Sequence, residues 1–163
     1  MRIVRGVSAF TVLALSLGTA SLHAQSGTIN ATATVLSAIT VAAGKDLQFG
    51  SVTPGVNKVV AITDAGAGRF DVTKAAATAV ALTFTLPANL TAGANNLPIG
   101  SWTGGWNTSN SPVGATGFTP SATATNTAST GNIWVFIGGT VSPGGGQAAG
   151  AYTGTVTMQV AYL

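Results

Sequence analysis

Between residues 151 and 162 the side chains alternate without a break. Tyr152, Gly154, Val156, Met158, Val160 and Tyr162 fall on one side; Thr153, Thr155, Thr157 and Gln159 fall on the other. A period of two marks a strand with one covered face and one wet face. The chain has no helical counterpart to this stretch. Glu is absent, Lys and Gln are scarce, and no long window carries an apolar 3.6-residue period with capping residues. The fold must therefore be built from strands.

Shorter strand signals recur. In residues 78–86, Val80, Leu82, Phe84 and Leu86 alternate with Ala79, Ala81, Thr83 and Thr85 before Pro87 stops the run. Residues 29–35 set Ile29, Ala31, Ala33 and Val35 against Asn30, Thr32 and Thr34, and residues 36–41 continue as a second extended piece. Residues 47–52, 56–63 and 69–73 read as further short strands. Residues 133–137 are apolar on both faces, which predicts a central strand with Trp134 in the core. Residues 88–131 are rich in Gly, Asn, Ser and Thr and hold Pro98, Pro112 and Pro120. They read as long loops with one or two weak strands. Short strands with Gly/Pro/Asn punctuation predict one all-β domain, an immunoglobulin-like or pilin-like β-sandwich.

Residues 1–24 read as a secretory signal peptide. Arg2 and Arg5 form the positive start, residues 7–17 are an apolar stretch too short to span a bilayer, and Leu22-His23-Ala24 offers a cleavage site before Gln25. The expected product is exported, to the periplasm, the cell surface or the medium, and does not span a membrane.

Composition then narrows function. The chain has no Cys, and its single His, His23, falls in the leader. Residues 25–163 keep four cations (Lys45, Lys58, Arg69, Lys74) and three anions (Asp46, Asp64, Asp71). Acid–base and nucleophilic catalysis rest on His, thiol or paired carboxylates, so the expectation is a protein that is not an enzyme. A balance of +1 is no footprint for nucleic acid. The three Asp show no calcium-loop spacing, and surface ion pairs with the neighbouring cations are the expected use. No metal or other cofactor is implied. Gly144-Gly145-Gly146 lacks the Lys-Ser/Thr of a phosphate loop and reads as a long hairpin connection. Every charge after the leader lies between Lys45 and Lys74, leaving residues 75–163 without a charged side chain. Interface cores are depleted in charge in this way. Trp102 and Trp106, in a polar stretch, form a candidate ligand loop that could stack on a glycan, or they fold back over the end of the domain.

A wider set of motifs carries a resemblance. Leu47-Gln-Phe49-Gly50, Leu86-Pro87, Gly138-Gly139-Thr140 and Gly150-Ala-Tyr152-Thr-Gly154-Thr155-Val156, with Tyr162 penultimate, resemble a family of small exported bacterial domains of unknown function. Gly150 and Tyr162 bracketing an alternating strand are also similar to the last strand of spore coat U-type domains and chaperone–usher pilins. That resemblance implies a fimbrial or coat subunit. It would self-associate with like subunits, or be held by a periplasmic chaperone or assembly platform. The C-terminal edge strand would be Gly150, Tyr152, Gly154, Val156, Met158, Val160 and Tyr162, and the donor strand would be Ile29, Ala31, Ala33 and Val35. Residues 25–36 are then either a donor strand for a neighbour, leaving the monomer one strand short, or the first strand of a complete domain, with the sandwich spanning residues 37–163. A secreted monomeric binding module is the alternative.

Overall fold

The computed structural model describes residues 25–128 and 131–163; the expected signal peptide lies outside them. The chain divides into two compact units, Met1–Thr34 and Val35–Leu163. In the first, residues 25–34 are exposed and carry no strand. The second holds ten strands and, among the described residues, no helix.

The strands are β1 (Thr40–Lys45), β2 (Lys58–Val60), β3 (Gly68–Thr73), β4 (Ala79–Thr85), β5 (Asn89–Ala92), β6 (Asn95–Asn107), β7 (Thr116–Phe118), β8 (Thr125–Ala128), β9 (Ile133–Val141) and β10 (Thr157–Tyr162). The larger sheet runs β1-β3-β9-β6-β5, with β2 also on β9 and β7 also on β6. The smaller sheet is β10-β4-β8. Every pairing is antiparallel. The expected central strand is β9, which bonds to β3 and β2 on one side and to β6 on the other.

Alternation decides which residues are buried. Val80, Leu82 and Phe84 of β4 share one core with Val72, Ile133, Val135, Ile137 and Met158, so strands of both sheets meet there. A second, smaller core holds Leu97, Ile99 and Val141. Along β9 the residues of both cores share one face, as a period of two requires.

The longest strand, β6, lies in the stretch read as loops, which also holds β5, β7 and β8. A bulge explains why β6 escaped notice. Gly100 opposes Thr140 and Thr103 opposes Gly138, so Ser101 and Trp102 together face Gly139. Ser101 takes φ 47°. The extra residue reverses the phase of the strand: Ile99 faces the core before it, and Trp102, Gly104 and Trp106 do so after it. Gly139 makes room, since a Cβ there would stand 3.2 Å from the Trp102 ring. Trp102 and Trp106 are thus half-buried strand residues packed on the cores, which corrects their reading as a ligand loop.

Gly104 lets β7 close over the core. A Cβ at Gly104 would lie 2.6 Å from the Phe118 ring and 2.9 Å from Pro120. Phe118 in turn stacks on Phe84 with centroids 5.7 Å apart. Gly104→Ala is expected to destabilise the domain by about 1–3 kcal/mol through overpacking, read as a lower midpoint in urea.

Other expectations need correction. Residues 36–39 carry no strand, and β1 begins only at Thr40. Residues 47–52 carry no strand either, although Leu47, Phe49 and Val52 are half-buried. Trp134 lies opposite Asp71 and Asn107 on the face of β9 turned away from Val135, half-buried rather than in the core. Gly144-Gly145-Gly146 is no hairpin turn, because β9 and β10 belong to different sheets and the chain crosses between them. Lys74 is buried, and its Nζ donates to the Thr78 carbonyl at 2.6 Å.

Candidate functional site

The two sheets differ in width, and β1 shows the consequence. It ends the larger sheet, bonded to β3 alone among the described strands. Its Val41 pairs with Val72 and its Ala43 with Phe70, so both side chains share the face of Val72, a core residue. Yet every residue of β1 is exposed, and Val41 is 41% exposed. Among the described residues no strand covers the core-side face of β1.

The smaller sheet ends at β10 on one side, with β4 its strand neighbour. The Leu163 N–H donates to the Ala79 carbonyl at 3.3 Å. Bonded pairs alternate along an antiparallel ladder. The backbone groups of Thr157, Gln159 and Ala161 therefore face β4, and those of Met158, Val160 and Tyr162 face outward. The same parity holds upstream. Thr153 exchanges both backbone hydrogen bonds with Thr91, at 2.8 and 3.0 Å, which turns the backbone groups of Tyr152 and Gly154 the other way. The strand proper is shorter than the alternating sequence: Thr157–Tyr162 is regular strand, and residues 150–156 are extended chain held at Thr153.

A groove of about 1140 Å³ opens between these two borders. One wall is the end of β1 with residues 46–52; the other is residues 147–156. The floor is Phe70, Leu90, Leu97, Ile99, Trp102 and Ile137. Phe49, Val52, Leu90, Trp102 and Tyr152 are half-buried around the second core. They are apolar side chains that the described residues leave partly uncovered. Tyr152 is fixed in place: its Oη donates to the Ala148 carbonyl at 2.8 Å and accepts from Gln147 Nε2 at 2.7 Å.

The far end of β10 is anchored by Tyr162. Its Oη donates to the Ser37 carbonyl and accepts from the Ala75 N–H, both at 2.7 Å. This fixes where the chain enters the folded unit. Tyr162→Phe removes both bonds and is expected to lower stability by about 1–2 kcal/mol, measured by thermal or urea unfolding.

The proposed donor residues lie outside regular structure. Ile29 is 95% exposed and Val35 93% exposed, and residues 29–35 carry no strand. Of the charged residues, Lys45, Asp46 and Arg69 line the groove. Arg69 pairs with Asp71 through Nε at 2.6 Å and reaches Asn110 at 2.8 Å, while the Asp64 carboxylate accepts from the Ala61 N–H. Among the described residues no three His, Cys, Asp or Glu side chains gather as a metal site, and no helix is long and apolar enough to cross a membrane.

The model of a domain of unknown function, DUF4402, matches residues 39–162. The chain belongs to the DUF4402 family. No curated protein matches it. The matched span covers all ten strands and both walls of the groove, and residues 29–35 precede it. Of the motifs read from the sequence, Leu47-Gln-Phe49-Gly50 and Gly150-Ala-Tyr152-Thr-Gly154 form opposite walls of the groove in this DUF4402 domain. Leu90, Leu97 and Ile99 were missed as lining. The usable signal was the hairpin around Gly93, which has φ 58° and sits between Ala92 and Asn95, the pair that closes it.

Proposed function

We propose that this DUF4402 protein is an exported, non-enzymatic structural subunit of a bacterial surface filament, pilus-like fibre or coat. In this reading the ten strands form a pilin-like β-sandwich one strand short, and residues 29–35 of another copy supply the missing strand. The observation that carries it is the groove between β1 and residues 150–156, lined by Tyr152 and Gly154, whose backbone groups turn away from β5, together with the outward backbone groups of Met158, Val160 and Tyr162 farther along β10. An unpaired edge beside uncovered apolar side chains is a template for an added strand. The exposed Ile29 and Val35 support the donor role, and so does the lack of charged side chains in residues 75–163, which include the whole C-terminal wall.

The test compares residues 25–163 with residues 37–163, both secreted to a periplasm. Heat-labile ladders on unheated gels and filaments by electron microscopy are expected from the longer chain alone. A stable, monodisperse monomer from the longer chain at high concentration contradicts the proposal. Trp102 in the groove floor gives the binding-module reading one concrete form, a small ligand in the same groove. Soluble saccharides that bind the monomer and lose affinity in Trp102→Ala would favour it.

A further inference from the structure

Of the three tryptophans, Trp102 and Trp106 pack on the cores, and Trp134 belongs to neither. It is half-buried on the outer face of β9. Strand register sets its neighbours on that face. Asp71 of β3 stands directly opposite on one side and Asn107 of β6 on the other. Among the described residues the Trp134 indole N–H donates to no protein group, and it is not closed off from solvent. A tryptophan that serves a core normally buries its ring and finds a partner for this N–H. Trp134 does neither, which leaves its ring and its donor available to a molecule outside the fold.

The polar groups around the ring are held in place. Arg69 and Asp71 are two apart on β3, so their side chains share the outer face. Arg69 Nε and Nη2 donate to the two Asp71 carboxylate oxygens, at 2.6 and 3.1 Å. The edge strand beside the pair offers no cover: Ala42 stands opposite Asp71, and a Cβ at Gly44 would lie 2.5 Å from Asp71 Oδ1. Asp71 stays 37% exposed, and its carboxylate keeps lone pairs for further donors. On the other side, Asn107 Nδ2 donates to the Ser111 and Val113 carbonyls at 2.9 and 3.1 Å, which closes the intervening loop on itself. Asn110 of that loop accepts from Arg69 Nη1 at 2.8 Å through Oδ1, and among the described residues its side-chain NH2 donates to none. Arg69 thus fixes a carboxylate and an amide on the face that carries Trp134. Arg69 also borders the groove; Trp134, Asp71 and Asn110 do not.

The two charges of the pair cancel, so this face selects an ion of neither sign. It offers a flat apolar ring with fixed donors and acceptors beside it. A sugar is the chemical complement: its C–H face lies on an indole, and its hydroxyls both give and accept hydrogen bonds. We infer that the outer face of β3, β9 and β6 binds a neutral saccharide, stacked on Trp134 and hydrogen-bonded to Asp71, Arg69 and Asn110. The inference goes beyond the subunit reading and does not rest on it. The face is open rather than a cleft, so one domain holds the sugar weakly. Copies repeated in an assembly would add avidity without any new contact.

Calorimetric titration of residues 25–163 tests this. The probes are soluble neutral hexasaccharides of glucose, mannose, galactose and N-acetylglucosamine, with a sulfated heparin hexasaccharide beside them. At least one neutral probe is expected to bind saturably at concentrations up to about 10 mM. Trp134→Ala is expected to weaken that binding by at least about tenfold. Asn110→Ala, on the exposed loop, is expected to weaken it by about threefold to tenfold through one lost hydrogen bond. The Asn110 variant keeps the test decisive should Trp134→Ala fail to fold, which its urea midpoint reports. Full-strength binding by either folded variant overturns the assignment. Loss of binding in Trp102→Ala with Trp134→Ala still binding places the sugar in the groove and overturns it too. No binding of any neutral probe, or tighter binding of the heparin hexasaccharide than of every neutral one, overturns the neutral saccharide as the ligand.

Discussion

Ile29→Asp combined with Val35→Asp is expected to abolish the proposed heat-labile assembly and to leave the folded unit unchanged. Both side chains are almost fully exposed in the single chain, so nothing in the monomer depends on them. In a complemented groove each would be covered. Burying an Ile or Val is worth about 1.5–3 kcal/mol, or roughly 3–6 kcal/mol for the pair. The double Asp variant forfeits that gain and also requires two carboxylates to leave water without partners, a further penalty of several kcal/mol. The summed effect changes the association constant by several orders of magnitude, since about 1.4 kcal/mol is a factor of ten. Sedimentation velocity of the variant should show monomer alone, with a thermal midpoint equal to that of residues 37–163. Ladders of undiminished length from the double variant would show that residues 29–35 are not the donor.

Leu82→Ala acts on the fold itself. Leu82 is fully buried at the centre of β4 and packs in the core that both sheets share. Truncation leaves a cavity that the neighbouring strands only partly fill, and such changes cost about 2–5 kcal/mol. Small domains are stable by only about 5–15 kcal/mol, so a large share of the total is lost. Val113→Ala, at an exposed loop position, serves as the control. It should stay within about 0.5 kcal/mol of the unsubstituted chain. Urea unfolding of both variants in the background of residues 37–163 separates the effect from assembly.

The sequence revealed strands wherever the period of two ran unbroken over a half-buried sheet. Val80, Leu82 and Phe84 alternate cleanly with smaller neighbours, and the run that they mark overshoots β4 only slightly at each end. The apolar run 133–137 marks β9 because that strand is bonded on both sides. The pattern failed where a backbone irregularity changed its phase. Ile99 and Trp102 both pack on the second core although they are an odd number of residues apart, which no uninterrupted strand permits. Only the bulge at Ser101 and Trp102 reconciles them, and a Gly- and Pro-rich stretch gives little notice of it.

The groove was legible in part. Its C-terminal wall stood out because Tyr152, Val156 and Met158 alternate with Thr. The opposite wall was less visible. Leu47, Phe49 and Val52 face the groove from a segment that makes no ladder, so their role follows from the tertiary arrangement rather than from a local period. The width difference between the sheets, and hence the uncovered face of β1, depends on pairings between residues far apart in sequence. The scarcity of charge was visible from the start. It acquired a location once the C-terminal wall of the groove proved to lie wholly within residues 75–163, which hold no charged side chain.

If residues 29–35 complete a neighbouring subunit, the outward edge of β10 accepts a strand. Amide hydrogen exchange reports on that edge directly. Residues 37–163 are followed with and without a synthetic peptide of residues 25–36. The outward N–H groups of Met158, Val160 and Tyr162 should exchange quickly in the free domain and slow by at least about a hundredfold with saturating peptide. Those of Thr157, Gln159 and Ala161, already bonded to β4, should change far less. Equal exchange at Met158, Val160 and Tyr162 with and without the peptide would show that this edge does not accept the strand.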